Sequence, residues 1–324
     1  MAEEKPNMNR ISLLADVAEM YYSQGKDQSA IAKQIGVTRS MVSRMLTEAR
    51  NRGIVDIRII RPIQYEQDLE DAIRSIYGIE TVYVVSIRNS NHDKLLIELG
   101  KAAAQVLDHY LTSDAILGLA WGTTISAVVD AVESTGKYPG KVVQLVGAMG
   151  AQNAEYDGHA LVQRLANKLG GNPYFINAPY LCQSSKIAQS MMETRGIKET
   201  IELGKKIQIA LLGIGTTEIE YSSYFLAGLL PEEEIKKLVN LGVVGDVASN
   251  FYKLNGKPYC DDFMRRLITI QLNDLVKIPI RIGVAGGPGK VNAIIGALHS
   301  KLVNVLVTDS ITARSILASN PIEK

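Results

Sequence analysis

Cysteine is almost missing from this chain. Cys182 and Cys260 lie far apart and form no C-x-x-C pair, so both read as free thiols in a reducing cytoplasm, with packing rather than chemical roles. Histidine is scarce too. His92, His109, His159 and His299 show no metal-ligand spacing, and no metal site is expected. No apolar run reaches the roughly 18 residues that a membrane span needs. The N-terminus is polar, with Glu3 and Glu4, unlike a signal peptide. Repeats and low-complexity segments are absent. Neither sign of charge dominates, since 35 basic residues face 34 acidic ones for a net +1. The 324 residues are too many for one small domain and suit two.

What is present begins with Gln28–Arg52 (QSAIAKQIGVTRSMVSRMLTEARNR). Ile31, Ala32 and Ile35 put apolar groups on one face of a short helix. Gly36 ends it, Val37 supplies a plug, and Thr38 is a good N-cap for a second helix. In that helix Met41, Val42, Met45, Leu46 and Ala49 repeat at helical spacing and are expected to face inward. Arg39, Ser40, Ser43, Arg44 and Thr47 then face outward, with Thr38 at the start. Arginine can grip guanine edges or phosphates, and hydroxyls reach either, so this is the pattern of a helix-turn-helix reading double-stranded operator DNA. The bland reading is a helical hairpin with a solvated basic face. Local charge favours DNA: over Asp27–Arg61 seven bases oppose three acids, so positive charge collects where phosphates would be met. An earlier helix around Ile11–Gln24 presents Leu14, Val17, Ala18 and Tyr21 to complete a three-helix core. After Gly53, Val55, Ile57 and Ile59 alternate with Asp56 and Arg58, which predicts a small wing strand.

Pro62 marks a boundary. The organisation expected is a DNA-binding domain over 1–61, a connector helix over 62–80, and an effector domain over 81–324. Tyr65, Leu69, Ile73 and Ile76 form the connector's apolar stripe, which either packs back on the larger domain or pairs with a symmetry mate. From Thr81 apolar strands alternate with helices. TVYVVSI, AILGLA, VVQLVG, PYFINA, IQIALLGIG, RIGVAGG and VNVLVTD read as strands, and the pattern implies a mostly parallel sheet covered on both faces. The fold class is therefore α/β, with an N-terminal winged helix-turn-helix.

Ligands in such sheets bind at the carboxyl ends of the strands. Four segments place small or polar residues there: Trp121–Thr124, Gly147–Gly150, Gly213–Glu218 and Gly286–Lys290. Gly122, Thr123 and Thr124 stand where a strand becomes a helix N-terminus, which favours an anion. Lys290 could add a positive charge, and Asp246 could accept bonds from sugar hydroxyls. Each signal alone could be an ordinary turn, cap or solvated lysine; together they suggest a phosphorylated sugar or polyol. Nucleotide motifs fail. A P-loop would need glycine at Val284 and Ser or Thr at Val291, and Glu218 occupies the third glycine of a dinucleotide fingerprint. Neither ATP nor NAD is expected, and no other cofactor.

With these features in place the chain resembles the SorC/DeoR group of bacterial sugar-binding transcriptional regulators, nearly end to end. The resemblance is carried by IAKQIGVTRSMVSRML, GLAWGTTI, VVQLVGAMG, NAPYL, GVVGDVASNFY and VAGGPGKVNAIIGAL…NVLVTDSITA. It implies an effector domain similar to sugar-phosphate isomerases and deaminases, a sugar-phosphate inducer, and homodimers or homotetramers. It also implies that Gly122, Thr123 and Thr124 match the phosphate turn, Gly147 a ligand-lining glycine, Asp246 the acid at the sugar end, and Lys290 the lysine near the phosphate. One branch of the family holds its sugar covalently through a lysine just before the first glycine of the VVQLVG segment. Here Val146 stands there, which cannot form a Schiff base, so reversible binding is expected. The competing reading is an isomerase or deaminase with a DNA-binding head, for which Asp246, Glu218 and Lys290 would be the acid–base groups. A third is a constitutive DNA-binding scaffold with a degenerate pocket.

Overall fold

The computed structural model describes residues 5–55, 62–88, 91–136, 138–150 and 155–319. The chain divides into two compact units, Met1–Pro62 and Ile63–Lys324.

The first unit is helical: α1 (Lys5–Tyr22), α2 (Gln28–Ile35) and α3 (Arg39–Asn51). Asp27 caps α2, its carboxylate accepting from Ser29 N and Ala30 N. Gly36 takes the left-handed conformation, φ 72°, that lets the chain turn sharply into α3. Thr38 caps α3 by accepting from Met41 N. Leu14, Val17, Ile31, Val42, Met45, Leu46 and Ala49 close a small core. Met41 corrects the inward stripe: it is 45% exposed, because helical spacing turns it away from the seam that Val42 and Met45 share. The expected wing strand falls largely on residues 56–61, outside those described. Asp27→Ala should lower the stability of this helical unit by about 1 kcal/mol, since two first-turn N–H groups lose their acceptor. Urea unfolding followed by helical circular dichroism would measure it, and an unchanged midpoint would refute the cap's contribution.

The second unit begins with α4 (Gln67–Tyr77), β1 (Thr81–Val85), α5 (His92–Tyr110), β2 (Ile116–Leu119), α6 (Thr123–Ala131), β3 (Lys141–Gln144), α7 (Gly158–Leu169) and β4 (Asn172–Tyr174). It continues through α8 (Ser185–Met192), α9 (Arg195–Gly204), β5 (Ile209–Thr216), α10 (Ser223–Leu226), α11 (Glu232–Asn240), β6 (Val243–Val247) and β7 (Asn250–Lys253). It closes with α12 (Leu272–Leu275), β8 (Ile280–Val284), α13 (Val291–Ser300), β9 (Val305–Asp309) and α14 (Ser310–Ala318). Seven strands lie in the order β1-β9-β8-β5-β2-β3-β4, with parallel pairing throughout. Both sheet faces are covered. Ala210, Leu212 and Ile214 of β5 join one hydrophobic cluster, while Ile209 and Leu211 join the other. This explains why the strands read as continuous apolar runs rather than alternating ones.

Several strands end earlier or later than their composition suggests. PYFINA contributes only Pro173 and Tyr174 to β4, because Ile176 and Ala178 leave the sheet for a separate cluster with Cys182 and Ile268. Conversely, Gly213–Thr216 is strand rather than loop: Ile214, Gly215 and Thr216 pair antiparallel with Val247, Asp246 and Gly245. The β6–β7 hairpin has no counterpart in the sequence reading. Helix α4 packs on β1 and α14. It buries Ile73 and Glu70, and Glu70 Oε1 accepts from Val84 N at 2.9 Å, closing a free donor on edge strand β1.

Candidate functional site

On α3, Thr38, Arg39, Ser40, Ser43, Arg44 and Thr47 are all exposed, as the pattern requires. Thr38 Oγ1 lies 2.9 Å from Ser40 Oγ, and Thr47 Oγ1 donates to Ser43 O. The helix carries one acid, Glu48, held by Arg10 at 2.7 Å and Arg52 at 3.0 Å. The Arg10 hydrogen bond pulls its carboxyl below the ordinary range. Among the described residues Arg39 and Arg44 make no ion pair, so their guanidinium groups face solvent without a competing carboxylate. Ser43, Arg44 and Thr47 border a shallow groove along the helix.

The larger unit holds a cavity of about 460 Å³ at the carboxyl ends of three neighbouring strands, β2, β5 and β8. From β2 the chain proceeds to β3 and β4 on one side, and β5, β8 and β9 fill the other. The cavity thus lies where strand order reverses, the position at which such sheets open a crevice.

Two glycines shape its rim. Gly122 has φ 129° and ψ 164°, and Gly287 has φ 100° and ψ 159°. This region of backbone space is essentially closed to residues with a Cβ. Each glycine precedes a helical turn, Thr123–Ala131 or Pro288–Lys290, and neither supplies a side-chain cap. Helices α2, α3, α5, α7, α8 and α14 do occupy their first N–H groups with Asp27, Thr38, Asn91, Asp157, Ser184 and Asp309. The first-turn donors of α6 have no intrahelical acceptor and border the cavity, an anion-binding arrangement. Thr123 is exposed and Thr124 half-buried beside them. Gly287 N is itself held, donating to Thr312 Oγ1 at 2.7 Å and Asp309 Oδ2 at 3.2 Å, so the second turn is pinned from below.

Lys290 and Asp246 complete the polar set. Lys290 is half-buried, and its Nζ donates to Ile214 O at 2.9 Å. Burial pulls its ammonium down to about 8, with the charge of Asp246 opposing the shift. Asp246 is 5% exposed. Its Oδ2 accepts from Tyr224 Oη at 2.8 Å and Ser249 N at 2.9 Å. Burial raises its carboxyl above the usual range despite these bonds and Lys290. A side chain on Gly215 would overlap Asp246 Oδ1, so glycine there is what admits the carboxylate. Trp121 stands edge-on to Tyr224 at 5.4 Å in the same wall.

Of the sequence-derived ligand residues, Gly122, Thr123, Thr124, Asp246 and Lys290 line this one cavity. Gly147 does not. Its N–H donates to Ile268 O, and the backbone of Ala178–Pro179 lies so close that a Cβ would collide with it. Its glycine answers to chain crossing, not ligand contact. Glu218 also lies outside the cavity, on a neighbouring surface. Val146 is fully buried, and Lys141 at the far end of β3 lies over Tyr174. Tyr224, Tyr221 and the Ala248–Ser249 turn also line the cavity, and no local sequence pattern marks them, because they meet the other lining residues only in the folded chain. Among the described residues no His, Cys, Asp or Glu cluster could hold a metal, and no helix is long and apolar enough to cross a membrane.

A helix-turn-helix joined to an α/β domain with a polar strand-end cavity defines a class, the transcriptional regulators that carry a sugar-binding domain. Residues 61–318 match the Sugar-bind model, a sugar-binding domain. The chain is 30% identical over 305 residues to the deoxyribonucleoside regulator of Bacillus subtilis, covering 94% of this chain and 97% of that protein. It is 28% identical over 313 residues to the sorbitol operon regulator of Klebsiella pneumoniae, covering 96% and 99%. The crystal structure of full-length SorC from Klebsiella pneumoniae aligns with a TM-score of 0.75 at 27% identity, over 95% of this chain and 98% of that one. The chain belongs to the SorC/DeoR-type family of sugar-binding bacterial transcriptional regulators.

Proposed function

We propose that this regulator binds operator DNA through Thr38, Arg39, Ser40, Ser43, Arg44 and Thr47, and that a phosphorylated sugar held without a covalent bond sets its affinity. The phosphate would rest on the first turn of α6 at Gly122–Thr124, with Lys290 as counter-charge. Asp246 would accept from sugar hydroxyls. The carrying observation is that an uncapped helix N-terminus, one half-buried cation and one buried carboxylate line a single cavity at three adjacent strand ends. Val146 at the Schiff-base position supports reversible binding, and the family supports assembly as a homodimer or homotetramer. Glu218 lies outside the cavity, which leaves an isomerase reading without one of its three acid–base groups. The ligand shifts the DNA equilibrium only as far as it favours one conformation or assembly over another.

A sugar-phosphate panel read by thermal shift tests the reading, followed by operator binding with each hit. If no phosphorylated sugar raises the melting temperature or changes operator affinity, the reading fails. Borohydride treatment of the complex should leave the protein mass unchanged.

Binding should also depend on pH through Lys290. A bound phosphate favours the ammonium, so binding at pH values above about 8 takes up a proton. The phosphate itself stays dianionic there, its second pKa being about 6. Affinity should therefore fall as pH rises from 7.5 to 9.5, by at most about tenfold per unit, and Lys290→Met should flatten the profile. Without ligand the sign reverses. A base depressed by burial penalises the fold while charged, and that penalty fades as pH rises from about 8 towards the ordinary value of 10.5. Calorimetry in buffers of different ionisation enthalpy would register the proton, and zero uptake at pH 8.5 would exclude Lys290 as the counter-charge.

A further inference from the structure

A second cavity of about 530 Å³ lies in the larger unit between α8, the β6–β7 hairpin and the segment Pro258–Leu272. Ser249 lines both cavities. Two cations border the second, Lys186 on α8 and Arg265 on the short helical turn Met264–Arg266 that packs against α8. Both are exposed, and neither forms an ion pair among the described residues. No Asp or Glu lines the cavity. Its floor is mixed: Phe251, Leu267 and Tyr259 give apolar surface, while Gln189 and Gln271 offer amides. Cavities that combine apolar walls with a few charged groups of one sign suit small organic ions of the other.

The wall shared by the two cavities is strained. Ala248 and Ser249 have φ 46° and 63°, a left-handed pair without glycine, which costs free energy unless neighbours enforce it. Here they do. Thr269 Oγ1 donates to Ala248 O at 2.7 Å, Asn250 Nδ2 donates to Ala248 O at 3.0 Å, and Asp246 Oδ2 accepts from Ser249 N. The turn is therefore clamped by groups from both sides, with Thr269 and Asn250 lining the second cavity and Asp246 the first.

We propose that the second cavity is a separate binding site for an amphipathic organic anion, a phosphate or carboxylate on an apolar body, with Lys186 and Arg265 as its cationic partners. The site stands independently of the sugar-phosphate reading, because it uses neither Gly122 nor Lys290.

Phenyl phosphate serves as the probe, titrated calorimetrically into the full chain at constant ionic strength. The Lys186→Glu/Arg265→Glu variant should lose one binding event, weakened by at least about tenfold, as expected when charge-assisted bonds are removed. Both positions are exposed, so its melting temperature should match the parent's. A Gly122→Asp variant, which sets a carboxylate at the first cavity's anion turn, should keep the event that the double variant loses. An isotherm of the double variant that superimposes on the parent's overturns the proposal, as does a Gly122→Asp variant that folds but binds no probe. Should Gly122→Asp not fold, the parent and double variant decide alone. A parent chain that shows no effector response to any phosphorylated sugar, yet keeps the second event, would defeat the sugar-phosphate reading and leave this site standing.

Discussion

Operator binding by the Arg39→Ala/Arg44→Ala variant should fall by about 30-fold or more, given roughly 1–3 kcal/mol for each well-placed arginine contact. Both guanidinium groups are exposed on α3 and unpaired among the described residues, so their loss removes no internal bond and the melting temperature should hold. Salt dependence distinguishes the two modes of contact. If the arginines meet phosphates, the slope of log K against log salt should become shallower by up to about two units, and binding should weaken on every sequence alike. If they meet base edges, the slope should change little and discrimination between operator and random DNA should narrow. Fluorescence anisotropy on a fragment selected in vitro, across a salt series, resolves both. Affinity within twofold of the parent at every salt concentration would show that α3 is not the reading helix.

Gly122→Ala should both destabilise the larger unit and abolish effector binding. A Cβ at Gly122 meets nothing within 4 Å, so no collision contributes. The whole effect comes from φ 129° and ψ 164°, a conformation that costs an L-residue about 1–3 kcal/mol. The backbone can relieve that strain only by rotating away, which turns the first N–H groups of α6 from the cavity. Gly196→Ala is the control. It also has open space around it but lies within α9 at an ordinary helical conformation, where alanine should be neutral or stabilise by up to about 1 kcal/mol. Thermal denaturation and effector titration of the pair provide the comparison. Parental melting and affinity in Gly122→Ala would mean that the turn is neither strained nor the anion's seat.

Local physics explains which features were legible in advance. The helix-turn-helix is written in consecutive residues: apolar period, glycine turn, cap and a second apolar period, from Ile31 to Ala49. Met41 falls at the edge of the apolar period, and its exposure leaves the seam unchanged. The strand-to-helix turn at Trp121–Thr124 was visible for the same reason, since both of its halves adjoin in sequence. Gly147 shows the limit. In one dimension a glycine needed because Ala178–Pro179 crosses above it cannot be told from one that leaves room for a ligand. The β6–β7 hairpin shows it again. VVGDV marks Asp246 as a candidate acceptor, but only its antiparallel pairing with Gly215–Thr216 brings that carboxylate to Tyr224 and into the cavity that Lys290 also lines.

The amino-acid sequence by itself determined the class of fold, the outward-facing side chains of α3 and the glycine turn before α6, because each depends on periodicity, capping and backbone freedom over a few neighbouring residues. Tertiary structure alone decided which distant groups share one cavity, how burial moves Asp246 and Lys290 in opposite senses, and that a strained two-residue turn separates two chambers. Those properties arise from the field and the space created when strands far apart in the chain become neighbours, and no short stretch of residues contains them.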